Sequence, residues 1–514
     1  MTINPLLRAA RAAVIFAVFV GFLPHFADAK TVREPSGKAF ATAHRRPIVF
    51  IPGLMGSRLC RPDPAGSRNE IVSWGTLSAL PSIAELQLPT DDEDDVRPCG
   101  LIREVVFFGL YTQEIYGPIV ARLERLGYRE NHDLFVFDYD WRRSVFDNAR
   151  SLAEFVQAKV APGQKIDILA HSMGGLIARI YAVEMGGGGR IGRLISAGTP
   201  FLGSAKVFET VEQGWGALNT VLGGIAVFRR TLLSFPSIFE LSPRYAACCG
   251  TGSGFSPHDA AAWRALGWEG VDTASMPDLA DTARRAADIQ RVIDTPLPDG
   301  VEDVGVIGVD QRTPYRVVFE TDAGATTGRI ETSWNGDGTV MQDSAILPRA
   351  SIHPTSFADH QNILNDPQVQ DFLTVALTRG VAEAMRSVSV RPRDTMRTFA
   401  GILAELVGVA VVPDQLVYRP GDVGEVRVRF RLDAARRLPD RAVRLELRMT
   451  GAAAQPIALR HDPQSFDPAN PLEQGFVGRF AAGVQPGHRV LRATVQVEGG
   501  GTRIVDRTIA VVAR

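Results

Sequence analysis

Several things are missing from this chain, and each absence narrows it. Its 56 basic and 57 acidic side chains nearly cancel to a formal net charge of −1. There is therefore no global pull toward nucleic acid or an anionic surface, and any partner preference must come from local patches. Cysteine is scarce: Cys60, Cys99, Cys248 and Cys249 are all there is, and their spacing does not match a zinc site. Beyond the N-terminal stretch no segment is long and apolar enough to span about 30 Å of hydrocarbon, and there is no internal repeat or low-complexity tract. What is present, 45% apolar and 22% charged over 514 residues, is the balance of a folded globular protein with room for more than one domain.

Residues 1–29 read as a secretory signal. Arg8 and Arg11 supply a positive start, Ala12 to Leu23 an apolar stretch, and Ala27-Asp28-Ala29 a small-x-small cleavage pattern. The alternative is an uncleaved anchor, for which the run is marginally short. Export to the periplasm or the cell exterior is the expectation, and it permits disulfides. Pairing of Cys60 with Cys99 would close a loop of about 40 residues and stabilise the fold by roughly 4 kcal/mol in the chain-entropy model. Cys248 and Cys249 are adjacent, so they form either a small ring or bonds elsewhere.

Five short apolar runs read as buried parallel strands: Arg45–Gly53, Asp133–Phe137, Lys165–Ala170, Arg193–Ser196 and Val304–Val309. Helical stretches at Tyr116–Leu126 and Ser151–Lys159 lie between them, which predicts a parallel sheet covered on both faces. Two insertions interrupt the rhythm, at about 61–98 and about 205–300. Insertions of that length are commonly a lid and a cap over a site. Within the cap, Val221 to Phe239 reads as an exposed apolar stretch. An amphipathic helix from about Asp366 to Ser387 closes this domain. After it the period changes to two: Val426, Val428, Phe430 and Leu432 alternate with arginines, as do Val443 to Met449 and Leu491 to Val497. That pattern predicts an antiparallel sandwich. Its arginine faces either meet anionic lipid or are simply solvated.

The chemistry is written most clearly at 165–185. The strand KIDILA runs into His171-Ser172-Met173-Gly174-Gly175 and then a helix-like LIARIYAVEM. This is the strand–turn–helix setting in which a strained serine projects its hydroxyl from a sheet edge. Ala170 stands where the pattern usually has glycine, a difference of one methyl. A serine hydroxyl needs a base, and the base an orienting acid. In this setting they follow the serine in the order acid, then histidine. His360, ahead of the closing helix, is preferred over His353. Asp337, in the Gly-flanked loop NGDGTV, is preferred over Asp310. The backbone N–H groups of Met173 and of Leu54, in PGLMGS after the first strand, are the candidate oxyanion donors.

Taken together, PIVFIPGLMGSRL at 47–59, DLFVFDYDWRRS at 133–144, AHSMGG at 170–175, SAGTPFLGS at 196–204, PSIFELSP at 236–243 and NGDGTV at 335–340 resemble the lecithin:cholesterol acyltransferase family of α/β-hydrolases. That family includes lysosomal phospholipases and phospholipid:diacylglycerol acyltransferases. The resemblance implies a Ser172–Asp337–His360 triad, Leu54 and Met173 as oxyanion donors, and an acyl-enzyme passed to water or an alcohol. It also implies a lipid or phospholipid ester substrate and no metal or organic cofactor. The expected architecture is an α/β-hydrolase fold with lid and cap insertions at 30–395, followed by a C-terminal all-β immunoglobulin-like sandwich at 396–514. A soluble esterase or thioesterase for small acyl esters, and a non-catalytic binding protein on a hydrolase scaffold, are the competing readings. A peripheral membrane contact fits the first reading, and nucleic acid fits none.

Overall fold

Short, mostly apolar runs build the central layer. The computed structural model describes residues 45–63, 69–89, 94–107, 111–245, 248–249, 257–258, 263, 266, 276–309, 311–322, 325–347, 355–356, 358–387, 409–414, 417–431, 443–449, 454–461, 473–485, 487–497 and 501–511. The proposed signal segment lies outside them. Strands β1 (Ile48–Ile51), β2 (Leu134–Val136), β3 (Ile166–His171), β4 (Ile191–Ala197), β5 (Glu302–Gly308) and β6 (Thr355–Ser356) form one sheet in the order β6-β5-β4-β3-β1-β2. Every pairing in it is parallel.

Successive side chains point to opposite faces, so the apolar runs feed two cores. Val49, Ile51, Ile168 and Ala170 enter one, and Ile48, Phe50, Leu169 and Ile195 the other. Helices α1 (Gly117–Arg125) and α4 (Pro367–Arg379) cover the second face, while α2 (Val145–Lys159) and α3 (Met173–Glu184) cover the first. Their starts are encoded locally. Ser144 caps α2 through the Phe146 N–H, and Asp366 caps α4 through Gln368 and Val369 with Pro367 behind it. The closing helix expected as one piece is two: α4 stops at Gly380, whose φ of 99° breaks the spiral, and Val381–Ser387 forms a separate turn of helix.

Both insertions share the first core. The strands Ser57–Pro62, Glu70–Trp74 and Arg97–Leu101 make a small antiparallel sheet, and Leu59, Trp74, Ile83 and Leu86 are buried with β1 and β3. The apolar stretch at 221–239 is not exposed. Phe228, Phe235 and Phe239 are buried, because Trp215, Trp141 and Trp263 respectively pack against them at 5.1, 5.7 and 5.2 Å between ring centroids. A hairpin of Thr313–Asp322 and Ala325–Ser333, not anticipated from the pattern, lies between β5 and the NGDGTV loop. Near the C-terminus a four-stranded and a five-stranded sheet contribute to one core through Val426, Val428 and Phe476 from one and Leu445, Leu491 and Ile509 from the other. The pairing there is not wholly antiparallel, since Val417–Tyr418 runs parallel to Gly501–Val511. Among the described residues no helix is long and apolar enough to cross a membrane.

Cys60 is bonded to Cys99 and Cys248 to Cys249. Replacing Cys60 and Cys99 together with alanine should lower stability by roughly 4 kcal/mol, the loop-closure value; a denaturant midpoint that does not move would contradict it.

Glu240 is fully buried and accepts hydrogen bonds from Ser144 Oγ (2.6 Å) and the Val145 N–H (2.7 Å), tying the second insertion to the start of α2. Burial pushes its carboxyl up to about 7 from 4.5, against the pull of those two donors. Between those values the folded chain keeps a proton that the unfolded chain has lost, so stability falls as pH rises through the window and levels off above it. The melting temperature should decline over this range, and less steeply in Glu240→Gln; an identical decline in both would place the cause elsewhere.

Candidate active site

The bend after β3 is sharp. Ser172 has φ 53° and ψ −126°, a backbone conformation costing about 1–3 kcal/mol in a non-glycine residue. Its neighbours hold it there. The Ser172 N–H donates to the Ala197 carbonyl at 2.8 Å, and the Gly175 N–H donates to the Ser172 carbonyl at 3.0 Å. Glycine at 174 and 175 lets α3 pass close beneath. A Cβ on Gly174 would lie 2.6 Å from the Pro52 carbonyl oxygen, and one on Gly175 2.0 Å from Thr199 Oγ1.

His360, 188 residues away in sequence, brings Nε2 to 2.9 Å from Ser172 Oγ. Its Nδ1 lies 2.7 Å from Asp337 Oδ2. A carboxylate only accepts, so Nδ1 carries the hydrogen and Nε2 is left to accept from the serine hydroxyl. Asp337 is itself fixed: its Oδ1 accepts from the Thr339 and Val340 N–H groups at 2.9 and 2.7 Å. Its carbonyl accepts the His360 N–H at 2.8 Å. All three residues are buried, which strengthens their mutual interactions relative to water. Small residues again permit the approach, since a Cβ on Gly308 would sit 2.2 Å from Asp337 Cβ.

Leu54 lies in the turn after β1, and Met173 is the first residue of α3. A first-turn N–H has no intrahelical acceptor, so the Met173 N–H is available to an oxygen at the serine. The β1 loop is pinned from below by the YDWR segment. Tyr139 donates its hydroxyl to the Pro52 carbonyl at 2.9 Å, and Trp141 its indole N–H to the Ser57 carbonyl at 3.1 Å. Arg142, wholly buried, pairs with Asp140 and Asp94 and reaches the carbonyls of Leu86 and Val96. It thereby clamps the first insertion.

The sequence profile of the lecithin:cholesterol acyltransferase family matches residues 87–277. A phospholipase A(1) of Arabidopsis thaliana (LCAT3) is 22% identical over 415 residues, covering 64% of this chain and 90% of that protein. The chain thus resembles the lecithin:cholesterol acyltransferase family over residues 87–277. Among solved structures, the phospholipase PlaB of Legionella pneumophila is 12% identical, with 91% of this chain and 89% of that one covered at a TM-score of 0.32. The mature lipase BlEst2 of Bacillus licheniformis is 15% identical, with 62% and 86% covered at a TM-score of 0.29.

Of the residues singled out from sequence, Ser172, Asp337 and His360 meet within hydrogen-bond distance. The alternatives Asp310 and His353 lie outside the described residues. Sequence reading gave no role to Tyr116 or His171, both buried directly beside the site. His171 had a signal in its place next to Ser172, whereas Tyr116 had none, because only folding brings it there.

Gly175→Ala should destabilise the chain by about 1–3 kcal/mol through overpacking against Thr199, and adding Thr199→Ala, which removes Oγ1 and Cγ2 but leaves Cβ 2.9 Å away, should recover part of that. Thermal unfolding of the single and double variants checks it, and no recovery in the double would mean the clash lies elsewhere.

Proposed function

We propose that this protein is a serine-dependent lipid acyl-ester enzyme, a phospholipase-type hydrolase or O-acyltransferase, with Ser172, His360 and Asp337 as its triad. The observation that carries the reading is the hydrogen-bonded run from Ser172 Oγ through His360 to Asp337, 2.9 and 2.7 Å, on a left-handed elbow. The family match over residues 87–277 and the phospholipase A(1) relative support a lipid ester as substrate. So does Trp334, three residues before Asp337 and 48% exposed, since an exposed indole suits an apolar interface.

In this reading Ser172 Oγ attacks the ester carbonyl as its proton passes to His360 Nε2. Asp337 stabilises the imidazolium without taking the proton. The Leu54 and Met173 N–H groups meet the oxyanion. The carbon–oxygen ester bond breaks, Nε2 returns the proton to the departing alcohol, and an acyl group remains on Ser172. Water or a second alcohol then gives its proton to Nε2 and takes the acyl group. No step calls for a metal or an organic cofactor.

The N-terminal segment is assigned to export, and the insertions at 61–98 and 205–300 to shaping the acyl site. The C-terminal sheets are assigned to an immunoglobulin-like sandwich. Its outward arginines are partly neutralised in place, Arg427 by Glu425 and Arg448 by Glu446, which favours a spacer over an anionic-lipid surface.

A fluorophosphonate should label the wild type and not Ser172→Ala, and Asp337→Asn should lower kcat about 10⁴-fold with the fold retained. Labelling that persists in Ser172→Ala would overturn the assignment. Incubation with an acyl-labelled phospholipid, with and without a sterol or diacylglycerol, distinguishes release of fatty acid from formation of a new ester; neither product, with dispersed and aggregated short esters cleaved at equal rates, would favour a soluble esterase.

A further inference from the structure

His171 ends β3, and its buried side chain lies between Tyr116, at the start of α1, and the His360 segment. Three contacts define its surroundings. The Gly53 N–H lies 2.9 Å from Tyr116 Oη, Tyr116 Oη lies 2.8 Å from His171 Nδ1, and His171 Nε2 lies 2.9 Å from the His360 carbonyl oxygen. The hydrogens can be placed by elimination. An amide only donates, so Tyr116 Oη accepts from Gly53 and gives its own hydrogen to His171 Nδ1. That nitrogen must then be bare, and the neutral ring carries its hydrogen on Nε2, aimed at a carbonyl that only accepts. Every donor and acceptor in the row has one partner and one direction.

We propose that Tyr116 and His171 are positioning residues of the acyl-transfer site, joining the oxyanion loop to the base-bearing loop. The inference rests on the reading of Ser172 and His360 given above. His360 is held through both ends of its own peptide: its N–H by the Asp337 carbonyl and its carbonyl by His171. Losing the second anchor frees the peptide to rotate and takes Nε2 out of line with Ser172 Oγ. The other end of the row ties down Gly53, the residue before Leu54, where a Cβ would already lie 2.8 Å from Ser172 Cβ. One row of hydrogen bonds thus sets the distance between the groups that move the proton and those that receive the negative charge. Burial, and then the neighbouring His360 ring 4.8 Å away, press the His171 pKa down to about 3. The ring stays neutral and adds no positive charge beside the imidazolium that forms on His360.

The test uses the whole chain, a p-nitrophenyl ester and a fluorophosphonate probe. His171→Leu keeps bulk and removes both hydrogen bonds; it should lower kcat roughly 30-fold with KM changed by less than about threefold, and slow labelling of Ser172 in parallel. His171→Gln, which retains an N–H for the His360 carbonyl, should recover at least about fivefold of that loss. Tyr116→Phe removes a single oxygen and should lower kcat roughly tenfold. Should His171→Leu not fold, the Phe and Gln variants decide. Wild-type labelling rates in folded Tyr116→Phe and His171→Leu would overturn the proposal, as would a Gln variant no better than Leu. Absence of labelling in the wild type itself would instead overturn the nucleophile assignment.

Discussion

The backbone of Ser172 is the constraint to which the rest of the site is fitted. A residue with a side chain does not rest at φ 53° unless its surroundings require it. Here β3 delivers the chain to the sheet edge, the Ala197 carbonyl holds the serine N–H, and two glycines let α3 start close to Pro52 and Thr199. The hydroxyl therefore stands beyond the C-terminal edge of a parallel sheet. The segments following β1, β5 and β6 converge there, bringing Leu54, Asp337 and His360.

Convergent segments are useful only if they are fixed, and buried polar groups fix them. Tyr139 and Trp141 hold the carbonyls of the β1 loop, and Arg142 holds two carbonyls and two carboxylates of the first insertion. Burial works against the charge of Arg142, but its hydrogen bonds and charge pairing with Asp140 and Asp94 outweigh this and raise its pKa. Such an arrangement adds little net stability compared with an apolar cluster of the same volume. Its effect is to define where each loop lies. The second insertion is held differently, through aromatic packing onto Trp141 and the carboxyl of Glu240 at the start of α2. Neither insertion is a detached flap in its described parts, since both are continuous with the core under the sheet.

Much of this was readable before folding. Each of the five expected strands appears in the central sheet, because a run buried on both faces must be apolar throughout. The serine elbow was readable because its strain demands small neighbours at fixed spacing. Asp337 and His360 were reachable through chain order and the glycines around them, whereas the pairing of Cys60 with Cys99 was left open, because spacing gives a loop length and not a connectivity. The apolar stretch at 221–239 misled because hydrophobicity without a clear period does not reveal what covers it; three tryptophans from separate segments do. The break at Gly380 was a local cue, a glycine inside a helical pattern, outweighed by the amphipathic period on either side.

The sequence by itself determined the strands, the bend at Ser172 and the chemical character of its partners, since these depend on periodicity and on neighbours a few residues apart. Only the tertiary structure decided that Tyr116 would meet Gly53 and His171, that His171 would grip the peptide of His360, and that Arg142 would reach Leu86 and Val96. Those contacts span 46 to 189 residues. A hydrogen bond is set by angles and distances of a few tenths of an ångström, which no one-dimensional pattern encodes and which exist only once the layers have packed.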